Sequence, residues 1–263
     1  MAKIYALANQ KGGVGKTTTA INLGAYLAKS GQRVLLVDID SQANATSSVG
    51  IDKNTVDGGT YEALLGADNV ASFILFNPRL KMSVLPASPS LAGGEVELVN
   101  EIARESRLKQ VLSPLSERYD YILIDCPPSL GLLTLNGLVA AQDGVIIPVQ
   151  CEYLALEGLG QLTQTLERVR KAIFPQLTVR GVVMTMFDSR TNLSNDVVEE
   201  VRKHFPDRVF QAVIPRSIRL AEAPSYGLPI SIYDPKSNGA LAYQALADEI
   251  LASDKAGILS PAD

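Results

Sequence analysis

The feature that most constrains this chain is the stretch Lys11-Gly12-Gly13-Val14-Gly15-Lys16-Thr17-Thr18. It follows an apolar segment, residues 3–8, which predicts a strand, and it opens a segment, residues 17–29, which predicts a helix stopped by Gly31. A glycine-rich turn between a strand and a helix directs backbone N–H groups inward and adds the positive end of the helix dipole. This context is typical of a loop that binds phosphate groups.

The side chains of the loop complete a nucleotide-binding pattern. Lys16 stands where a lysine neutralises the β- and γ-phosphates, and Thr17 stands where a hydroxyl ligates Mg²⁺. The general pattern G-x-x-x-x-G-K-[ST] begins with a glycine, whereas this chain has Gln10 there and a second lysine, Lys11, opens the loop. This variant is the deviant Walker motif. We expect the whole loop to contact the nucleotide, that is Lys11, Gly12, Gly13, Val14, Gly15, Lys16, Thr17 and Thr18.

Strand-like and helix-like segments alternate along the chain. Apolar strands separated by helices indicate an α/β fold, with a mostly parallel central sheet flanked by helices on both faces, as in a P-loop NTPase of the deviant Walker type. We expect an irregular insertion at residues 91–100. We also expect a single domain over residues 1–263, with a core from about 3 to 252 and a short polar tail at 253–263. The expected strands are 3–8, 33–37, 121–124, 144–149, 180–185 and 209–214; the expected helices are 17–29, 60–76 (weakly), 95–116, 156–172, 195–205 and 238–252.

Composition limits the function further. The 263 residues carry a formal net charge of −4, which disfavours a protein covered in nucleic-acid-binding charge. No apolar run reaches the roughly 18 residues that span a bilayer, and we expect no signal peptide. Cys126 and Cys151 are too few for a disulfide framework, and no C-x-x-C spacing suggests an iron–sulfur cluster. We therefore interpret both as buried structural thiols of a cytoplasmic protein.

Three carboxylates follow predicted strands. Asp38 and Asp40 end the second strand, and Asp125 ends the strand at 121–124. In a parallel α/β sheet the ligand crevice lies at the carboxyl ends of the strands, so we expect these residues beside the phosphate loop. A carboxylate there can orient or deprotonate a water, or hold Mg²⁺. For Asp38 and Asp40 the alternative interpretation is a cap at the start of a helix.

A local basic run contrasts with the acidic total. Residues 201–219 contain five arginines and lysines against one acid, Asp207, which gives +5 − 1 = +4. Charge alone favours a solvated basic face over a nucleic-acid site. The single histidine, His204, lies on a charged helix face and we interpret it as a surface residue without a partner.

Four further segments carry a resemblance to a known family. Together with the loop, they are similar to the ParA/Soj family of chromosome- and plasmid-partition ATPases, and the resemblance runs from about residue 3 to 252. One departure is Ser41, where the family usually has proline. The segments are VDIDSQANAT at 37–46, YDYILIDCPPS at 119–129, PVQCEYLALEG at 148–158 and IPRSIRLAEAPS at 214–225.

The resemblance implies ATP and Mg²⁺ as cofactors and assigns roles at the phosphate loop. By this resemblance Lys11 reaches across a homodimer to the partner's phosphates, and Lys16 binds the phosphates of its own chain. Asp40 orients the attacking water, Asp38 is a structural or metal-shell residue, and Asp125, the Walker B acid, holds the Mg²⁺ through a water while Thr17 ligates it.

The resemblance also implies a base site and a DNA site. The strand near residue 185 is not followed by the N-K-x-D pattern of GTPases, which favours adenine, and in the family adenine packs against the positions of Pro215 and Ser217. Arg190 and Arg219 match positions that bind the DNA backbone without sequence preference, as sequence-independent phosphate contacts do. The expected companions of these two arginines are Arg216 and Lys236.

We therefore expect an ATPase that dimerises on ATP, binds double-stranded DNA non-specifically, and drives chromosome or plasmid segregation with a ParB/Spo0J-type partner that stimulates hydrolysis. Such a protein is cytoplasmic and nucleoid-associated. A MinD-like membrane ATPase is one alternative, and it is disfavoured because residues 253–263 hold one lysine, two aspartates, a glycine and a proline rather than a basic amphipathic helix. A regulator of transcription or replication initiation, with ATP as a switch, remains open.

Overall fold

One eight-stranded sheet organises residues 1–257, which are the residues that the computed structural model describes. The strands are β1 Lys3–Leu7, β2 Val34–Asp38, β3 Leu75–Asn77, β4 Met82–Leu85, β5 Tyr121–Asp125, β6 Gly144–Gln150, β7 Val179–Phe187 and β8 Val209–Pro215. Their spatial order is β3-β4-β2-β5-β1-β6-β7-β8. Only the pairing of β3 with β4 is antiparallel among these strands. The predicted mostly parallel sheet is confirmed.

Helices cover both faces of this sheet. They are α1 Lys16–Lys29, α2 Asn44–Ser48, α3 Thr60–Leu64, α4 Leu91–Leu98, α5 Arg107–Leu112, α6 Leu132–Ala140, α7 Ala155–Ala172, α8 Asn192–His204, α9 Ile218–Glu222, α10 Ile230–Tyr233 and α11 Asn238–Lys255. Residues of α3 to α8 pack in one hydrophobic cluster, and residues of α1, α2 and α9 to α11 pack in the other.

The strands divide between the two clusters by alternation. Along β1, Ile4 and Ala6 belong to the cluster under α3 to α8, whereas Tyr5 and Leu7 belong to the cluster under α1 and α11. Successive side chains of a strand point to opposite faces, so a strand covered on both faces is apolar throughout. This is why the continuous apolar segments predicted central strands correctly.

The sequence predictions failed mainly between residues 60 and 143. Helical structure in the weakly predicted segment 60–76 is limited to α3 and a 3₁₀ turn, and β3 and β4, which were not predicted, follow. Residues 91–98, predicted as irregular, form α4, while the predicted helix 95–116 is broken into shorter pieces; α6 was missed. These short elements have weak periodicity of their own and are stabilised by packing on the sheet.

The C-terminal helix is longer than predicted. α11 continues to Lys255, and Asp254, assigned to a polar tail, is buried against the sheet. Its carboxylate accepts hydrogen bonds from the hydroxyls of Tyr5 at 2.8 Å and Tyr121 at 3.0 Å, and it pairs with Arg180 at 3.1 Å. The Asp254 side chain, in the last turn of α11, is therefore fixed against the sheet. The rest of the predicted tail, residues 258–263, lies outside the described residues.

No helix within residues 1–257 combines the length and the apolar character that crossing a bilayer requires.

Candidate nucleotide-binding site

The phosphate loop connects β1 to α1 at the carboxyl edge of the sheet. Gly13 and Gly15 have φ values of 76° and 90°, in the left-handed region where a side chain is strained. Gly15 is the N-cap of α1, and its carbonyl accepts the N–H of Thr19 at 2.8 Å. The first backbone N–H groups of α1 therefore meet the loop, as an anion site at a helix N-terminus requires.

Lys16 lies inside this loop. It is only 7% exposed, and its Nζ donates a hydrogen bond to the carbonyl of Lys11 at 3.2 Å. Burial lowers the pKa of Lys16, although the nearby carboxylates of Asp125 and Asp40 act in the opposite direction. A desolvated ammonium whose hydrogen bond is to a neutral carbonyl binds an incoming anion strongly, since its solvation has already been lost.

Thr17 and Asp125 meet although 108 positions separate them. The hydroxyl of Thr17 donates to Asp125 Oδ2 at 2.7 Å, and Asp125 is fully buried at the end of β5. Asp125 Oδ1 makes no hydrogen bond to any residue among 1–257. Burial, and then the charge of Asp38, raise the pKa of Asp125 well above its ordinary value. A buried carboxylate oxygen without a partner is costly unless a cation or a water satisfies it.

These oxygen atoms fit a magnesium site. Mg²⁺ prefers hard oxygen ligands, and at nucleotide sites it is held by one or two protein groups together with substrate phosphates. Thr17 Oγ1 and the unpartnered Asp125 Oδ1 lie beside the loop and supply such groups. No cluster of three or more histidine, cysteine or carboxylate ligands occurs in the part of the chain that is described.

Asp38 is held by its own surroundings. Its Oδ2 accepts the backbone N–H of Thr46 at 2.8 Å and the hydroxyl of Thr46 at 2.7 Å, and its Oδ1 accepts the N–H of Asp40 at 3.1 Å. Burial raises the pKa of Asp38 to about 6, although these hydrogen bonds oppose the rise. Asp38 therefore links the end of β2 to α2, as its structural interpretation requires. Thr46, its main partner, was not identified from the sequence.

Asp40 has a freer carboxylate. It is 7% exposed, and its Oδ1 accepts the N–H of Gln42 at 3.0 Å, while its Oδ2 makes no hydrogen bond within residues 1–257. Asp40 does not cap α2, because Ala43 is the residue that precedes that helix. An oxygen available at the carboxyl edge of the sheet can accept a hydrogen bond from a water.

Lys11 has a partner in its own chain. Its Nζ forms an ion pair with Glu152, which follows β6, and both side chains are a little over one-third exposed. The backbone N–H of Lys11 donates to Asn9 Oδ1 at 3.1 Å, and Asn9 Nδ2 donates to the carbonyl of Pro148 at 2.8 Å. The loop is thus tied to the end of β6 at two points. The sequence analysis assigned no role to Glu152.

A second contact ties the loop to β7. The hydroxyl of Thr185 donates to the carbonyl of Val14 at 2.8 Å, and Thr185 also lies against Gly15. The next residue, Met186, has a φ of 52°, an uncommon conformation outside glycine. Thr185 was noted in the sequence only as part of a segment without an N-K-x-D pattern, so its contact with the loop is new.

The predicted adenine residues lie at the carboxyl edge of the sheet, as the phosphate loop does. Pro215 ends β8, which is three strands from β1, and Ser217 precedes α9. Both are half-buried. Neither side chain makes a hydrogen bond to the phosphate loop in the described residues, and their assignment to adenine stays a prediction.

The basic run does not form one surface. Arg202 and Lys203 lie in the last turn of α8 and Arg208 precedes β8, whereas Arg216 follows β8. The seven residues of β8 separate the two groups by roughly 20 Å at about 3.3 Å per residue. The charge sum over residues 201–219 therefore overstated the local charge on either side.

The residues predicted to bind DNA lie on the side of the carboxyl ends of β7 and β8. Arg190 is in the loop after β7, Arg216 follows β8, Arg219 is in α9 and Lys236 precedes α11. All four are exposed. Arg190 pairs with Asp188, and Arg219 pairs with Glu222.

The predictions for the two cysteines are confirmed, whereas the prediction for the histidine is confirmed only in part. Cys126 and Cys151 are buried, and burial raises the pKa of both thiols, that of Cys151 to about 12, as suits structural residues. His204 is on the surface as predicted, but the prediction that it has no partner was wrong. Its Nδ1 lies 2.9 Å from the carbonyl of Glu200 and 3.6 Å from the Glu200 carboxylate.

This chain is a P-loop nucleotide-binding α/β protein. Its glycine loop joins a strand to a helix, Lys16 lies in the loop, and the hydroxyl of Thr17 donates to Asp125. The profile of the AAA domain family matches residues 2–179. Sporulation initiation inhibitor protein Soj of Bacillus subtilis is 55% identical over 96% of this chain and 100% of that protein. Chromosome partitioning protein ParA of Myxococcus xanthus is 53% identical over 97% of this chain and 89% of that protein. The chain belongs to the ParA/Soj family of partition ATPases.

The fold is also found in solved structures. One, described as cobyrinic acid a,c-diamide synthase from Mycobacterium smegmatis with bound ATP analogue and magnesium, superposes with a TM-score of 0.87 and 40% identity and covers 100% of both chains. That protein therefore carries both an adenine nucleotide and Mg²⁺ on this fold.

Proposed function

We propose that this chain is a Mg²⁺-dependent ATPase that acts as a dimerisation switch in DNA segregation. ATP closes a homodimer, the dimer binds double-stranded DNA without sequence preference, and a ParB/Spo0J-type partner stimulates hydrolysis and release. The protein works in the cytoplasm, on the nucleoid, as a single domain. Membership of the ParA/Soj family supports the partition role.

The observation that carries the nucleotide part is the contact of Thr17 with Asp125 beside the glycine loop, with one Asp125 oxygen left unpartnered. Lys16 and the backbone N–H groups of the loop hold the phosphates. Thr17 and Asp125 would hold Mg²⁺, Thr17 directly and Asp125 through a water. When bound, Mg²⁺ neutralises charge on the β- and γ-phosphates.

Two residues serve hydrolysis and dimer closure. Asp40 accepts a hydrogen bond from the attacking water through its available oxygen and so orients the water toward the γ-phosphate. Lys11 leaves Glu152 and reaches the phosphates bound by the partner subunit, since two facing triphosphates need extra cations at their interface. Pro215 and Ser217 contact the adenine.

The DNA part rests on the exposed cations beyond β7 and β8, namely Arg190, Arg216, Arg219 and Lys236. Contacts between arginine and phosphate carry no sequence information, and each adds to the salt dependence of binding. A dimer doubles the number of these contacts, so ATP binding becomes a requirement for firm attachment to DNA.

Sedimentation of the full chain tests this function. The protein is run with ATP, with ADP and without nucleotide, each with and without a duplex of arbitrary sequence, and with anionic vesicles in place of DNA. We expect the protein to dimerise with ATP but not with ADP or without nucleotide, and to co-sediment with DNA only when ATP is present. Co-sedimentation with vesicles would favour the membrane alternative. An ATP-dependent dimer that does not bind DNA would favour a regulator that acts through protein contacts.

A further inference from the structure

Arg190, one of the two principal residues of the proposed DNA site, forms an ion pair with a carboxylate of its own chain. Asp188 Oδ1 accepts Arg190 Nε at 2.9 Å, and Asp188 Oδ2 accepts Arg190 Nη2 at 2.7 Å. The backbone N–H of Arg190 also donates to Asp188 Oδ1, at 3.1 Å. The arginine side chain is 84% exposed and the aspartate 20%. The guanidinium fork is thus filled by both oxygens of one carboxylate at an open surface.

Arg219 is in a similar position. Its Nη1 donates to Glu222 Oε2 at 3.0 Å, and its Nε lies 3.6 Å from Asp234 Oδ2. Glu222 Oε2 also accepts the hydroxyl of Tyr233 at 3.0 Å, so this carboxylate is held in place from a second side. The two arginines lie in different elements, yet each faces an acid of the same chain.

The acids offset most of the charge at this surface. The four cations of the proposed site, Arg190, Arg216, Arg219 and Lys236, and the three carboxylates paired with its arginines, Asp188, Glu222 and Asp234, have a formal sum of +4 − 3 = +1. The pKa of Asp188 lies well below its usual range. The hydrogen bonds from Arg190 are the main cause, and the nearby charge of Arg216 adds to it. Asp188 therefore carries its negative charge at neutral pH.

A carboxylate and a phosphate compete for the same atoms of an arginine. Both present two oxygens that match the N–H groups of the guanidinium, which is why arginine binds either group in a bidentate manner. We propose that Asp188 and Glu222 occupy the phosphate positions of Arg190 and Arg219, so that DNA binds only by displacing them. This inference rests on the proposed DNA-binding function and adds a regulatory feature to that site.

The size of the effect suits a switch that depends on dimerisation. Exposed ion pairs are individually weak, so displacing one lowers affinity by only about 2- to 5-fold. A monomer has few phosphate contacts with which to offset that loss. A dimer presents each arginine twice, and its contacts add. The carboxylates thus suppress attachment of the monomer and leave the ATP-bound dimer able to bind.

The test uses the full chain in its ATP-bound state and two unrelated duplexes. Asp188→Asn and Glu222→Gln keep the side-chain shape and an acceptor oxygen but remove the competing charge. Asp196→Asn is the matched control, because Asp196 is exposed on α8 and makes no ion pair within residues 1–257. Because each position occurs twice in the dimer, we expect each of the first two variants to bind both duplexes about 4- to 25-fold more tightly, and the control to change affinity by less than about 2-fold.

Two further variants separate this inference from the function on which it rests. Arg190→Ala and Arg219→Ala should each lower the salt slope, log K against log salt, by about 1.8, which is two phosphate contacts per dimer. If neither changes DNA binding, both the DNA site and the inference are wrong. If the arginine variants weaken binding while Asp188→Asn and Glu222→Gln behave like the control or weaken it, the carboxylates do not compete with DNA and only the inference is overturned. ATP binding by every variant, measured by calorimetry, verifies that the fold is retained.

Discussion

Lys11 and Glu152 form an ion pair within one chain, across 141 positions of sequence. Lys11 opens the phosphate loop and Glu152 follows β6, so the pair links the loop to the neighbouring strand. The residue that the family resemblance assigns to a partner's phosphates thus has a resting position on its own subunit. Because both side chains are partly exposed, the pair is weak enough to exchange Glu152 for a phosphate.

The first prediction concerns Lys11. Lys11→Ala should bind ATP as the unchanged protein does, because Lys16 and the backbone of its own loop remain. It should fail to form the ATP-dependent dimer and to hydrolyse ATP. Sedimentation with ATP measures the dimer, with Lys171→Ala, an exposed lysine on α7, as the control. A normal dimer of Lys11→Ala would show that this lysine does not act across the interface.

Replacing Lys16 should have a different effect from replacing Lys11. Lys16→Ala removes the buried ammonium from the loop, and with it charge-assisted hydrogen bonds to two phosphates. We expect ATP affinity to fall by more than about 100-fold, so that calorimetry detects no binding at ordinary concentrations. Circular dichroism should remain that of the folded protein. Retained ATP binding would refute the assignment of the phosphate loop.

Replacing Asp40 should lower the rate of ATP hydrolysis and leave the binding of ATP unchanged. Asp40→Ala loses the oxygen that we expect to orient the water, so hydrolysis should fall by about 10²–10⁴. ATP and Mg²⁺ binding should persist and the ATP-bound dimer should accumulate. Asp57→Ala, at an exposed position, is the control and should hydrolyse ATP normally. Loss of Mg²⁺-dependent ATP binding in Asp40→Ala would instead place Asp40 among the metal ligands.

The buried carboxylate of Asp254 should stabilise the folded protein and have no role in ATP binding. Tyr121→Phe removes one hydroxyl from this carboxylate and should lower the free energy of unfolding by about 1 kcal/mol. Asp254→Ala leaves Arg180 buried without its anion and should lower the free energy of unfolding by about 3 kcal/mol. Tyr61→Phe, whose hydroxyl bond is exposed, should change it by less than about 0.5 kcal/mol. Urea unfolding measures all three, and equal effects would contradict the role of Asp254.

Local chemistry made the centre of the site predictable. The loop needs glycine where φ is positive, and Gly13 and Gly15 occupy those positions. Asp38 and Asp125 were expected together because parallel strands bring their carboxyl ends to one edge, and they are register partners of β2 and β5. The same reasoning could not find β3, β4 or α6, because short segments take their conformation from the surfaces on which they pack.

The sequence by itself therefore determined the class of fold, the phosphate loop and the edge of the sheet at which the carboxylates meet. Only the tertiary structure decided which distant charges are paired: Glu152 with Lys11 and Asp254 with Arg180. It also divided the basic run between the two ends of β8. The physical reason is that backbone conformation depends largely on neighbouring residues, whereas an ion pair between distant residues depends on where the side chains of separate elements end in space, and no spacing along the chain specifies that position.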